Sequence, residues 1–211
     1  MVRNQPSIST AQTWDARFSG PDFLFGDQPN AYLAAQCERL KAGTVALAVA
    51  DGEGRNSIWL AQQGLHVDAF DISSVGVAKA ATLARKHNVT VNLHISDCDN
   101  WHWRQECYDV VVAIFVQFAA PEMRRRMFAG MLATLKPGGH LIVQGYTPKQ
   151  LDYKTGGPGL LGHLYTASMM RQAFASLDII ELREYEQELH EGSQHVGRSA
   201  LLGMVARKPL R

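Results

Sequence analysis

A glycine-rich stretch, AVADGEGRNS at residues 48–57, lies between an apolar run and a segment rich in helix-forming residues. Glycines such as Gly52 and Gly54 let the backbone adopt positive φ and approach a ligand closely. The helix expected after them presents free N–H groups at its start. About 20 residues further along, Asp71 ends a second apolar run, where a carboxylate can bind both hydroxyl groups of a ribose. The combination predicts a binding site for an adenosine-containing ligand.

These residues leave the identity of the ligand open. The sequence GEGRNS fits the dinucleotide-binding pattern G-x-G-x-x-G loosely, because Ser57 stands at the third glycine. An NAD-dependent oxidoreductase is therefore one alternative. Two features argue against it. No second nucleotide-binding half follows the fifth predicted strand, and the last two apolar runs predict a hairpin that would insert an antiparallel strand into a parallel sheet.

Strands and helices are predicted to alternate along the residues that must position this turn. Five mainly apolar runs are expected as strands: TVALAVA, HVDAFDIS, VTVNLHIS, YDVVVAIFV and HLIVQGY. Apolar strands separated by helices are typical of a parallel sheet with helices on both faces. A long Gly- and Pro-rich loop and a sixth helix then precede two further strands. The prediction is a Rossmann-like, doubly wound α/β fold with a seven-stranded sheet, mostly parallel, and one antiparallel strand near Arg198–Ala206.

The composition limits the possible partners and compartments. Of the 211 residues, 46% are apolar and 19% are charged, and the net charge of +1 gives no strong field that would attract nucleic acid. The three cysteines lack C-x-x-C spacing, so no local metal motif is expected. The start of the chain is too polar for a signal peptide, and no apolar run is long enough to span a bilayer. We therefore expect a cytoplasmic monomer or homodimer that binds neither nucleic acid nor membranes.

Four longer stretches carry a resemblance to a known family: WDARFSGPDFLFGDQPNAYL, DGEGRNSIWLAQQGLHVDAFDISSVGVAKA, LKPGGHLIVQGYTPKQLDYKTGGP and HEGSQHVGRSALL. Together they resemble the small class I S-adenosylmethionine-dependent methyltransferases related to bacterial tellurite-resistance (TehB-like) enzymes. The similarity runs from about residue 14 to the end of the chain. The resemblance implies S-adenosyl-L-methionine as the cofactor and methyl transfer to a small-molecule acceptor as the reaction.

On this basis the chain is expected to form a single methyltransferase domain. Its expected parts are a flexible arm (1–13), an N-terminal cover (14–40), a cofactor-binding core (44–146), a substrate-side loop (147–165) and a helix with the C-terminal hairpin (166–206).

The resemblance also assigns the methionine part of the cofactor to the glycine turn, which comprises Ala50, Asp51, Gly52 and Gly54. The common family pattern has an acidic residue where Ala48 stands and a glycine where Ala50 stands. We expect Asp51 to bind the methionine ammonium in place of the missing carboxylate, with Glu53 pointing to solvent. Ala50 preserves the turn if its φ stays negative. Arg55 is expected either to pair with the methionine carboxylate or to be a surface arginine in the first helical turn.

The remaining cofactor contacts are also carried over from the resemblance. Asp71 is expected to bind the ribose and Asp97 the adenine amino group. The other expected contacts are Ile72 on the adenine, the backbone N–H of Cys98, Ile114 and Phe115 beneath the cofactor, and Trp14 and Phe25 in the cover. The two cover aromatics could alternatively be core residues, and a nucleophilic Cys98 is the weaker alternative for that residue.

No clear catalytic base stands out from the sequence. Methyl transfer needs a base only when the acceptor atom is protonated, so thiolates, selenolates and tellurium oxyanions would need none. His163 and His195 lie in the two late loops, and either could be a base or a capping histidine. The candidates for an acceptor pocket are Tyr146, Tyr153, Tyr165 and the anion-binding Arg198. A non-catalytic S-adenosylmethionine-binding regulatory protein remains a further alternative because the glycine turn is altered.

Overall fold

A computed structural model describes residues 9–210, and in it seven strands form one sheet. The strands are β1 (Val45–Val49), β2 (His66–Asp71), β3 (Asn92–Ile95), β4 (Tyr108–Ile114), β5 (Leu135–Tyr146), β6 (Asp178–Glu191) and β7 (His195–Arg207). Their order is β3-β2-β1-β4-β5-β7-β6, and only the pairs made by β7 are antiparallel. The predicted fold is confirmed, including the antiparallel strand in the last-but-one position.

Helices connect the strands and cover the sheet. They are α1 (Thr10–Phe18), α2 (Ala31–Ala34), α3 (Arg55–Gln62), α4 (Ser74–Lys86), α5 (Pro121–Thr134), α6 (Gln150–Tyr153) and α7 (Ala167–Ala173), with 3-10 turns at Cys37–Arg39 and Leu161–His163. Helix α1 begins at Thr10 because Ser9 and Gln12 form a capping box. Residues 10–13 therefore do not belong to a flexible arm, and residues 1–8 lie outside the described part of the chain.

The central strands are apolar throughout because both of their faces are buried. Leu47, Val111 and Leu141 pack on one face, where α5 and α7 contribute to the core. Their neighbours along the chain point to the other face, where Ala46 and Val110 pack with residues of α3. This double burial explains why the sequence showed continuous apolar runs rather than alternating ones. Among the described residues, no helix is long and apolar enough to cross a membrane.

The strand order places a crevice next to β1. Strand β2 pairs with one side of β1 and β4 with the other, so the connections leave the sheet in opposite directions at this point. In open α/β sheets, ligands bind in the crevice at the carboxyl ends of the strands where the order reverses. The turn with Gly52 and the end of β2 at Asp71 both lie there, as the sequence predicted.

The N-terminal cover is fastened over this crevice by one lysine of α4. The Lys79 ammonium donates to the carbonyl oxygens of Phe18, Gly20 and Asp22 at 3.2, 2.9 and 2.6 Å, and it forms an ion pair with Glu53. Glu53 is buried, so the expectation that it points to solvent is wrong. The tertiary structure reverses its role, because its carboxylate is needed to balance a lysine that binds the cover.

We predict that Lys79→Met lowers the free energy of unfolding by about 3 kcal/mol, because breaking a buried ion pair leaves an uncompensated charge. Urea unfolding followed by circular dichroism measures the change. The double variant Lys79→Met/Glu53→Gln should regain part of the loss. Lys86→Met on the same helix is the control, since its pair with Asp27 is exposed and should contribute less than about 1 kcal/mol. Equal losses in Lys79→Met and Lys86→Met would contradict this role of Lys79.

Candidate functional site

A cavity of about 660 Å³ opens at the carboxyl ends of β1, β2 and β4, beneath α1. Its volume is in the range of small-molecule and cofactor sites. Most of the residues expected from the sequence line it: Trp14, Phe25, Ala50, Asp51, Gly52, Arg55, Asp71, Ile72, Asp97, Cys98, Ile114, Phe115, Tyr146 and His195. Gly54, His163 and Arg198 do not contribute to its lining. The structure thus brings together the two acidic strand ends, the cover aromatics and one of the two candidate histidines.

The altered glycine turn is fully formed. Ala50 has φ 48°, so the expectation of a negative φ is wrong. Backbone contacts hold the turn in this conformation, since the N–H of Asp51 donates to the carbonyl oxygen of Phe70 at 3.0 Å. Gly54 has φ 93° and packs so closely on α4 that an added Cβ would lie 2.6 Å from the Cβ of Ala80. Gly54 therefore fixes helix packing, and the turn can hold a ligand despite its unusual sequence.

Asp51 presents a buried carboxyl group to the cavity. Its oxygens accept hydrogen bonds from the hydroxyl and the backbone N–H of Ser57. Burial raises the pKa of Asp51 to about 7, and the nearby charge of Asp71 adds to the increase. A cation in the cavity would favour the ionised carboxylate and reverse this effect.

Asp71 is held in one orientation at the end of β2. Its Oδ2 accepts the N–H of Gly52 at 2.9 Å, and its Oδ1 accepts the N–H of Ser73 at 2.8 Å. Burial raises the pKa of this carboxyl group as well. The two backbone bonds link the glycine turn to β2, so the acidic group and the turn form one rigid unit.

Asp97 and Cys98 line the cavity beside Asp71, in the loop after β3. The carboxylate of Asp97 accepts the N–H groups of Asp99 and Asn100 at 2.9 and 2.8 Å, which fixes the loop after β3. The thiol of Cys98 is buried, and burial raises its pKa to about 12. A neutral thiol is a poor nucleophile, so the weaker alternative of a nucleophilic Cys98 is wrong.

Arg55 is buried and already paired. Its Nη2 lies 2.8 Å from Oε2 of Glu191, and its Nη1 donates to the carbonyl oxygen of Phe25 at 3.1 Å. The alternative of a surface arginine is therefore wrong, and the charge expected to meet the methionine carboxylate is balanced from within the protein. Glu191 ends β6, far along the chain, so only the folded hairpin brings the two together.

His195 lies next to this ion pair among aromatic rings. Its Nδ1 is 3.7 Å from Oε2 of Glu191, and its ring centroid is 4.6 Å from Phe25, 4.4 Å from Phe115 and 5.7 Å from Tyr146. We call these four residues the aromatic wall. Burial lowers the pKa of His195, which keeps the imidazole neutral near pH 7. Within the described residues, the buried hydroxyl of Tyr146 has no hydrogen-bond partner.

The other expected acceptor residues lie outside the cavity. Nδ1 of His163 lies 2.9 Å from the carbonyl oxygen of Gln117, which makes His163 a structural histidine. Arg198 and Tyr153 both bind Glu186, at 2.9 and 2.7 Å, on an exposed face of the hairpin. Tyr165 is buried in the core with α5 and α7. The structure does not bring these four side chains to the cavity lining, and His163 adopts the structural alternative of its two expected roles.

Sequence reasoning missed two charged residues at the site. Glu191 was not singled out, although it lies in the stretch HEGSQHVGRSALL that carries part of the family resemblance. Arg17 lines the cavity from α1, and its spacing of three residues from Trp14 could have indicated that both face the same side of a helix. In the described part of the chain, no group of three or more His, Cys, Asp or Glu residues is arranged to hold a metal ion.

Residues 46–139 match the family described as a methyltransferase domain, and they contain the turn, Asp71 and the strands of the crevice. The match spans slightly less than half of the chain and indicates a methyltransferase domain. The match supports S-adenosylmethionine rather than NAD as the cofactor. No protein of curated function matches the chain significantly.

Solved structures share the fold of this methyltransferase. One was determined in work on the conversion of a disulfide bond into a thioacetal group during echinomycin biosynthesis; its TM-score is 0.78, with 14% identity over 95% of this chain and 92% of that chain. TehB from Haemophilus influenzae has a TM-score of 0.69, with 18% identity over 85% of this chain and 62% of that chain. The N-methyltransferase NodS from Bradyrhizobium japonicum WM9, in complex with S-adenosyl-L-homocysteine, gives 0.71, with 17% identity over 94% and 98%.

We predict that alkylation of the native methyltransferase distinguishes its cysteines. With iodoacetamide at pH 8, the exposed Cys37 should be modified readily, whereas Cys98 should stay unmodified because its thiol is buried and neutral. Mass spectrometry of peptides from the treated protein measures both. The same treatment after unfolding in urea is the control and should modify each cysteine. Modification of Cys98 at the rate of Cys37 in the native protein would contradict the assignment.

Proposed function

We propose that this methyltransferase methylates a small molecule at a soft nucleophilic atom, such as the sulfur of a thiol or a selenium or tellurium centre. The observation that carries the proposal is the division of the cavity into an acidic end, with Asp51 and Asp71, and the aromatic wall. Soft, polarisable atoms make favourable contacts with aromatic rings. The family resemblance to tellurite-resistance enzymes supports the same acceptor class.

The acidic end fits S-adenosylmethionine. In this proposal Asp71 accepts hydrogen bonds from the ribose hydroxyls, and Asp97 contacts the adenine amino group; both line the cavity. The apolar contacts with the adenosine would come from Ile72 and Ile114. Asp51 would bind the methionine ammonium, since a buried carboxyl with a pKa of about 7 is stabilised in its ionised form by a cation.

When bound, the cofactor would supply a methyl group attached to a positively charged sulfur, and this sulfur would keep the electron pair of the carbon–sulfur bond when the methyl group is transferred to the acceptor. The chain's own task is to align the acceptor and to exclude water. Trp14 and Phe25 cover the cavity from above, while Phe115 and Tyr146 form its floor. The unpartnered hydroxyl of Tyr146 offers a hydrogen bond that can orient a polar acceptor.

His195 is the candidate proton acceptor for acceptors that are not already ionised. Its neutral imidazole can take a proton, and the carboxylate of Glu191 near Nδ1 favours the tautomer with the proton on that nitrogen. Because the pKa of His195 is lowered, this function would persist below the usual pKa of histidine and be lost only in more acidic solution. An acceptor that is already a thiolate would not need His195.

The acceptor class can be tested by measuring S-adenosylhomocysteine formation with thiols of different acidity. At pH 7, an aromatic thiol that is largely ionised should be methylated by both the unsubstituted protein and His195→Gln. An aliphatic thiol, mainly protonated at this pH, should lose about 100-fold in rate in His195→Gln, as expected for removal of a general base. His163→Gln is the matched control and should change neither rate. Equal losses for both thiols would contradict a role as base, and no turnover with sulfur, selenium or tellurium acceptors would contradict the acceptor class.

The role of Asp51 predicts a pH dependence of cofactor binding. The ammonium needs the ionised carboxylate, and Asp51 takes up a proton as the pH falls through about 7. The affinity for S-adenosylhomocysteine should therefore be constant above this pH and decrease below it, by up to about tenfold per pH unit. Asp51→Asn should bind more weakly above pH 7 and show no such slope.

Isothermal titration calorimetry from pH 6 to 8.5 measures this dependence. Methylthioadenosine, which lacks the amino acid part, is the control ligand and should show little dependence on Asp51. A slope that persists in Asp51→Asn would assign the titration to another group. Equal losses for both ligands would indicate distortion of the turn.

A further inference from the structure

Two guanidinium groups line the cavity, and only one of them is free to bind an anion. Arg55 forms its ion pair with Glu191 at 2.8 Å, and both side chains are about nine-tenths buried, with 8% and 11% of their surfaces exposed. A second carboxylate at Arg55 would have to share a guanidinium whose charge Glu191 already balances. Arg55 therefore binds the C-terminal hairpin through Glu191.

Arg17 has no such partner. Its guanidinium carbon lies 4.4 Å from the ring centroid of Trp14 and 5.8 Å from that of Phe25, so two aromatic rings position it. Among residues 9–210, no carboxylate lies within ion-pair distance of it. Partial burial lowers the pKa of Arg17, as expected for a cation withdrawn from water without a counter-ion. The group stays charged at neutral pH because the pKa of an arginine is so high.

Helix α1, which carries Arg17, lies against the glycine turn. The ring of Phe18, the next residue, covers the turn so closely that a Cβ on Gly52 would meet it at 3.3 Å. Asp15 in the same helix accepts hydrogen bonds from the hydroxyl of Ser73 and the N–H of Val75, at 2.6 and 3.2 Å, which fixes α1 on the start of α4. Arg17 is also near enough to His195 to affect its titration, together with Arg55.

Two of the charges that line the cavity match those of an amino acid. Asp51 offers a carboxylate from the turn, and Arg17 offers an unpaired cation from the cover. The methionine part of the cofactor carries one ammonium and one carboxylate on the same carbon. Burying either charge without a partner would cost several kcal/mol. One group from the core and one from α1 together can balance both.

We propose that Arg17 binds the methionine carboxylate of S-adenosylmethionine and thereby draws α1 onto the bound cofactor. This inference rests on the proposed arrangement of the cofactor, with its methionine part at the glycine turn. It assigns to the cover a specific electrostatic contact, in addition to exclusion of water. It also replaces Arg55, the residue expected from the sequence, in this role.

A cofactor analogue that lacks only the carboxylate tests the proposal. Decarboxylated S-adenosylmethionine keeps both the sulfonium and the ammonium. Calorimetry at pH 8 should show that Arg17→Gln binds S-adenosylmethionine at least tenfold more weakly than the unsubstituted protein, but binds the decarboxylated analogue equally well. Arg17→Lys should retain part of the affinity, because an ammonium pairs with a carboxylate as a point charge. Arg171→Gln, an exposed arginine of α7, is the matched control and should change neither affinity.

The other results would overturn the proposal in distinguishable ways. Equal losses for both ligands in Arg17→Gln would show that Arg17 acts through packing of α1. Unchanged affinities with slower methyl transfer would place Arg17 on the acceptor instead. Failure of the unsubstituted protein to bind S-adenosylmethionine would overturn the cofactor arrangement itself and the Arg17 contact with it. Ligand-free thermal unfolding of the Arg17 variants, expected to match the unsubstituted protein, excludes misfolding as the cause.

Discussion

The buried ion pair between Arg55 and Glu191 is the interaction on which the architecture of the site depends. It joins the start of α3, directly after the glycine turn, to the end of β6, so the cofactor half of the fold and the C-terminal hairpin meet at one contact. The same carboxylate lies 3.7 Å from His195, which it helps to orient within the aromatic wall. A paired and largely dehydrated charge of this kind specifies one arrangement more than it adds stability, because separating its partners is costly.

The ion pair also determines which charges remain for a ligand. With Arg55 balanced, the cavity retains the carboxylates of Asp51 and Asp71 and the guanidinium of Arg17. Burial raises the pKa of both carboxyl groups, so the ligand-free site holds its acidic groups in an unfavourable environment. A cationic cofactor relieves that penalty and is bound more tightly for the same reason. The buried carboxyl groups would thus lower the stability of the ligand-free protein and raise its affinity for a cationic ligand, as is common at functional sites.

The cover is integrated into the fold by directed polar contacts. Lys79 donates hydrogen bonds to carbonyl oxygens of the segment after α1. Asp15 of α1 accepts a hydrogen bond from Ser73 at the start of α4. These contacts hold Trp14 and Phe25 above the crevice, where they can exclude water during methyl transfer. In the proposed function, the acceptor would meet the aromatic wall with its neutral histidine, and the charged groups would contact the cofactor.

The sequence by itself determined the class of fold, the crevice and the acidic residue at the end of β2. These follow from local signals: apolar runs of strand length, glycines that permit positive φ, and a carboxylate at a fixed distance from them. Family motifs added further candidate residues, most of which line the cavity. The tertiary structure alone decided which charges are paired. The pairs Arg55–Glu191 and Lys79–Glu53 join segments that are far apart in the chain. Arg17, in contrast, contacts aromatic rings and has no carboxylate partner among the described residues. It also decided that His195 enters the cavity while His163 and Arg198 stay outside, because burial and partners are properties of the packed chain. Residue type shows which charge a side chain carries, but only the fold determines whether that charge is already balanced.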